Sequence, residues 1–247
     1  MPLSPAPFAA LRFLDDWAHH HKRDSLELQP ASARPVRAQA LGRIASLDAV
    51  PGGFWTRQVT GAPGLERTLD ALDSIDVPRL GERSSVAFLV EKLATIFRSA
   101  LPYAATHLLW HLHPSRRFIL YDTESLRFLN ERRAAEGKSR VPHDDYDLFA
   151  AAWHDAFEER RADIQRTTGD IHAMIPFIRT PRNVSAREVR ENAGAEWFQM
   201  RVFDRMLHHA DPDESVGPYS MHDSSVDAFG NPSLDADESR LPAWRIR

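Results

Sequence analysis

The 247-residue chain contains no cysteine. Disulfides, thiolate nucleophiles, zinc–thiolate sites and iron–sulfur clusters are thereby excluded, and the composition fits the cytoplasm. Lysine is almost absent as well. Only Lys22, Lys92 and Lys138 occur, so nearly all positive charge is arginine. No apolar run approaches the roughly 20 residues of a membrane span, so no membrane partner is expected. Residues 1–16 carry no basic leader region and no clean cleavage site, so no signal peptide is expected. There is no glycine-rich nucleotide loop, no G-x-S-x-G elbow, no EF-hand, no heptad pattern and no internal repeat.

Charge is present but unevenly placed. The formal net charge of −4 argues by itself against a general nucleic-acid binder. Beyond Asp211, however, the chain is rich in Asp and Glu, with arginine only at 240, 245 and 247. Between Arg116 and Arg205 arginines are dense. The expectation is a helical domain over 1–210, with an N-terminal lobe over about 1–80 and a core over about 84–210. An acidic, poorly structured tail is expected over 211–247.

Hydrophobic periodicity points to a mainly α, compact multi-helix fold. A first helix is expected over 8–22, ending in three histidines. A linker over 29–35 and a helix over 36–47 follow, then turns at Pro51-Gly52-Gly53 and 61–64 and a helix over 65–75. Val86, Leu89, Val90, Leu93 and Phe97 follow a 3.6-residue period. Leu101, Ala104, Ala105, Leu108, Leu109 and Leu112 form a second stripe, stopped by Pro114. A short apolar approach over 118–121 precedes a helix that starts after Asp122. A long helix is expected from about Asp144 to Ile164, with Asp144 and Asp145 as its caps. The last helix is expected over 185–209, opened by a Ser185–Glu188 capping box.

The stretch from Phe97 to Arg133 reads FRSALPYAATHLLWHLHPSRRFILYDTESLRFLNERR. A short turn, an apolar helix, a proline break and an apolar approach lead to Asp-Thr and an arginine-bearing helix. This order resembles that of the helix-hairpin-helix DNA glycosylases, whose catalytic aspartate opens a helix in an Asp-Thr pair. The resemblance implies a helix-hairpin-helix glycosylase-like core with Asp122 as the catalytic carboxylate. The chemistry is consistent: breaking an N-glycosidic bond develops positive charge on the deoxyribose, which a fixed carboxylate stabilises while it orients water. A helix N-terminus favours negative charge there.

The target base must leave the stack for an aromatic-lined pocket. Tyr103, Trp110 and Tyr121 are the candidate walls. Arg116, Arg117, Arg127, Arg132 and Arg133 are the candidate phosphate contacts. Double-stranded DNA, with modified bases among its targets, is the implied partner, and no cofactor is implied. The family hairpin usually carries glycines; residues 97–103 have none. The lysine of the strand-cleaving members is also missing, which implies the single-function kind: base release by water, leaving an abasic site. Defence against phage with modified cytosines is one setting the resemblance suggests. The alternative is a non-catalytic helical module that binds DNA or protein and keeps only the scaffold.

A third reading rests on histidines. His107 and His111 share a helix face, with His113 at the helix end, where a protonated imidazole suits the dipole. No glutamate follows the first histidine, so the zinc-protease pattern is not met and no metal site is expected. A metal-dependent hydrolase using these histidines is the weaker possibility.

Overall fold

The computed structural model describes residues 3, 5–47, 62–99, 101–173 and 185–208. The chain divides into two units, Met1–Ala210 and Asp211–Arg247; the second, like the expected turn at 51–53, lies outside the described residues. The described part is mainly helical and contains no strand. None of its helices is long and apolar enough to cross a membrane.

Five helices form a closed circuit. They are α2 (Lys22–Leu28), α3 (Arg34–Leu47), α4 (Ala62–Asp73), α6 (Glu82–Phe97) and α7 (Pro102–Leu112). Each packs on the next, and α7 returns to α2. A short α5 (Val77–Leu80) leads into α6. A second group packs beside them: α1 (Ala6–Asp16), α8 (Thr123–Ala135), α9 (Tyr146–Gly169) and α11 (Glu196–His208), with α10 (Ala186–Ala193) against α9 and α11.

The helices form where their apolar spacing requires it. α6 buries Val86, Leu89, Leu93 and Phe97 on one face. α7 buries Ala104 to Thr106 and Leu108 to Leu112. A helix apolar around most of its circumference belongs inside. Leu108 and Leu109 are fully buried, each contributing about 1.5–3 kcal/mol. Pro102 opens α7, where its missing N–H has no helical partner to lose.

Several expected boundaries shift. The first helix does not end at His19–His21. Those residues belong to a π-helical turn, Trp17–His21, through which the chain continues into α2. The wider turn rotates the buried face, by about 100° per added residue, so that α1 serves one helix group and α2 the other. Of the expected turn at 61–64, residue 61 lies outside the described residues, while Ala62 to Gly64 belong to the first turn of α4, where a proline is tolerated. The linker shortens because α3 already starts at Arg34. Asp145, not Asp144, caps α9, accepting from the Leu148 amide at 2.9 Å. The last helix is two helices, separated at Gly194 and Ala195, where the Ala195 amide turns back to the Asn192 carbonyl at 2.9 Å. The Ser185 cap does form, with the Glu188 amide at 3.1 Å.

The hairpin between α6 and α7 lacks glycine, yet its first residue adopts the conformation that favours it. Arg98 lies in the left-handed region (φ 57°, ψ 30°), with its amide on the Ala94 carbonyl at 2.8 Å. A side chain in that region is strained. Arg98→Gly is therefore expected to raise stability by up to ~1 kcal/mol, the relief exceeding the entropy that glycine adds to the unfolded chain. Urea unfolding checks it; a lower midpoint would show that the arginine side chain contributes more than its backbone costs.

Candidate functional site

Residues 118–122 lie at the joint between the two helix groups, and four polar contacts hold them. The Arg201 guanidinium donates to the Phe118 carbonyl. The Tyr146 hydroxyl donates to the Ile119 carbonyl at 3.0 Å. The Tyr121 amide donates to Thr106 Oγ1 at 3.1 Å, and the Tyr121 hydroxyl to the His143 carbonyl at 2.5 Å. An extended segment without sheet partners has backbone groups to satisfy. Here α11, α9, α7 and the loop before α9 provide partners.

This segment ends on Asp122, which is 4 % exposed and has extended backbone angles. Its Oδ1 accepts from the Ser125 amide at 2.7 Å, and its Oδ2 from the Ser125 hydroxyl. The carboxylate is thus the N-cap of α8, with both oxygens engaged by one fully buried serine. Thr123 is exposed beside it. The carboxylate is enclosed and hydrogen-bonded through both oxygens.

Burial pushes the Tyr121 phenol up to about 12, helped by the negative charges of Asp122 and Asp144. Burial raises Tyr146 as well. A raised phenol pKa means that the folded state holds its proton more tightly than the unfolded state. Stability is therefore fully present below pH ~10, the unfolded value, and is lost as pH rises through the folded value. Absorbance at the phenolate band, compared with Tyr121→Phe, should show one tyrosine ionising near pH 12. Ionisation of that tyrosine near the free value would mean that its hydroxyl is open to water.

The other candidate aromatics fall in different clusters. Tyr103 stacks on His107, with centroids 4.3 Å apart. Tyr121 meets Phe149 edge-on at 4.7 Å. Tyr103 and Tyr121 are linked through Thr106, whose hydroxyl lies 3.0 Å from the Tyr103 carbonyl. Trp110 packs instead with Phe13, His21 and His111 and lies beneath the Arg201 guanidinium.

Most candidate arginines face carboxylates. Arg117 pairs with Glu196 at 2.7 Å, Arg132 with Glu136 at 2.9 Å and also with Glu159, and Arg116 with Glu82 at 3.5 Å. Arg133 donates to the Ser139 carbonyl at 2.7 Å. Arg127 is exposed on α8. Exposed pairs are worth only about 0–1 kcal/mol, so a phosphate can exchange for the carboxylate at little cost.

The histidines disperse. His111 is buried, with Nδ1 3.2 Å from the Ser25 hydroxyl. His113 sits at the C-cap of α7, but burial and then Arg116 lower its pKa, opposite to the protonated state that the helix end favours. Among the described residues no group of three metal-ligating side chains gathers.

One buried network lies outside the candidate site residues. Arg201 and Asp204 lie 3.1 Å apart, exposed by 3 % and 4 %. Trp153 donates its indole N–H to Asp204 at 2.9 Å. The available signal was a charged pair three residues apart inside the otherwise apolar stripe of Phe198, Val202 and Met206. No family model matches the chain, and no curated protein or solved structure gives a significant match.

Proposed function

We propose that this chain is a single-function DNA glycosylase with Asp122 as its carboxylate. The observation that supports the reading is the doubly hydrogen-bonded Asp122 carboxylate at the start of α8, on a segment tied to three helices. In the proposed reaction the glycosidic C–N bond breaks and its electron pair leaves with the base. Asp122 stabilises the resulting positive sugar. Water adds its oxygen to the sugar carbon and gives up a proton, and the released base gains one. The substrate class is a base, modified or damaged, flipped from duplex DNA.

A second reading has its own support. Both Asp122 oxygens are occupied by Ser125, and four of the five candidate arginines already have protein partners. These features suit a scaffold that binds without turnover. The two readings separate in one experiment. The protein is incubated with unmodified, alkylated, oxidised, deaminated and phage-modified DNAs, then treated with hot alkali. Breaks that appear only after alkali support the glycosylase. No breaks on any DNA support the binding module.

A further inference from the structure

A cavity of about 510 Å³ opens between α2, the end of α7 and the α10–α11 region. The indoles of Trp17, Trp110 and Trp197 line it. The Lys22 ammonium reaches from α2 to Glu188 on α10, at 2.8 Å. Asp122 is not among the lining residues.

Two lining residues carry buried polar atoms without a hydrogen-bond partner among the described residues. One is the indole nitrogen of Trp110, a side chain only 2 % exposed; the other is Nε2 of His113. A buried indole N–H normally finds an acceptor, and an unmade bond carries the whole cost of desolvation. The neighbouring Gln29 Nε2, by contrast, donates to the Ser25 and Leu112 carbonyls, at 2.9 Å each.

We propose that this cavity is a binding site for a small, flat, uncharged heteroaromatic ring that offers a hydrogen-bond acceptor to Trp110. The volume lies within the usual range for small-molecule sites. Indole walls favour flat rings. A cationic ligand is disfavoured because Arg201 already lies 5.4 Å over the Trp110 ring. An anionic ligand is disfavoured because Glu188 already neutralises Lys22. His113, kept toward its neutral form by burial and Arg116, completes an uncharged polar edge. The proposal is independent of the base-release reading, since its residues and its test do not involve Asp122.

The test is a titration of the full chain, followed by NMR of the tryptophan indole N–H signals. The probes are nicotinamide, 2-pyridone and uracil, with naphthalene-like rings lacking an acceptor and nicotinate as controls. The Trp110 signal is assigned by its loss in Trp110→Phe. The expected result is a saturable shift of that signal by at least one uncharged probe, with Kd on the order of 1 mM or tighter. Trp110→Phe and, separately, the more exposed change His113→Leu should each weaken binding about tenfold. Circular dichroism establishes that each variant is folded. The proposal is overturned by an unmoved signal with every uncharged probe, by unchanged affinity in the folded variants, or by tighter binding of nicotinate or of the acceptor-free rings.

Discussion

Asp122→Asn is expected to leave the protein folded and, on the proposed glycosylase reading, to lower base release by at least about 10²–10³-fold, the scale on which a lost charge-stabilising group acts. Asparagine keeps a side-chain oxygen for the Ser125 amide, now 2.7 Å from Oδ1. The Ser125 hydroxyl, which donates to Oδ2, can rotate to accept from the new amide group instead. The cap survives and the negative charge does not. Asp122→Ala differs: it removes the cap and leaves a buried amide and hydroxyl unpaired, at a combined expected cost of about 2–3 kcal/mol. Urea unfolding and alkali-revealed strand breaks, measured on both variants, separate the two roles. Full base release by Asp122→Asn would remove Asp122 from the chemistry and leave it as a helix cap.

Arg201→Leu is expected to destabilise the protein by about 3–5 kcal/mol, the usual result of removing one partner of a buried ion pair. The guanidinium is 3 % exposed and faces Asp204 at 3.1 Å. It also donates to the Phe118 carbonyl and covers Trp110. Its loss removes the cation 3.1 Å from the buried Asp204 side chain, and it frees one end of the segment that carries Asp122. The double change Arg201→Met, Asp204→Leu should recover part of the stability, because apolar replacements of a buried pair are often neutral or better. Chemical unfolding at neutral pH measures both. A loss below about 1 kcal/mol for Arg201→Leu would show that the pair contributes no more than a surface salt bridge.

Much of the helical pattern was legible because burial imposes a period. Val86, Leu89, Leu93 and Phe97 repeat as one face of α6 requires, and Asp122 and Ser185 cap helices where their side-chain oxygens suggest. What misled were local signals overridden by context. Three consecutive histidines suggest a polar helix end, yet the backbone passes through them in a π turn because α2 packs on α3 and α7. Pro63-Gly64 suggests a turn, but both residues stand in the first turn of α4, where proline is tolerated. The break at Gly194 is hidden in a continuous apolar period, because both short helices bury the same kind of face.

The candidate site divides in the same way. Sequence alone determines that the described core is helical, that thiol chemistry is excluded and that an aspartate stands at a helix start, since these depend on composition and on neighbours three or four residues apart. Only the tertiary structure decides that Trp110 leaves the company of Tyr103 and Tyr121 for a separate cavity. It alone decides that most candidate arginines meet carboxylates, and that Arg201, 83 residues from Phe118, holds the segment leading to Asp122. Hydrogen bonds and ion pairs between distant residues depend on three-dimensional placement, and helical periodicity records which face is buried but not what that face will meet.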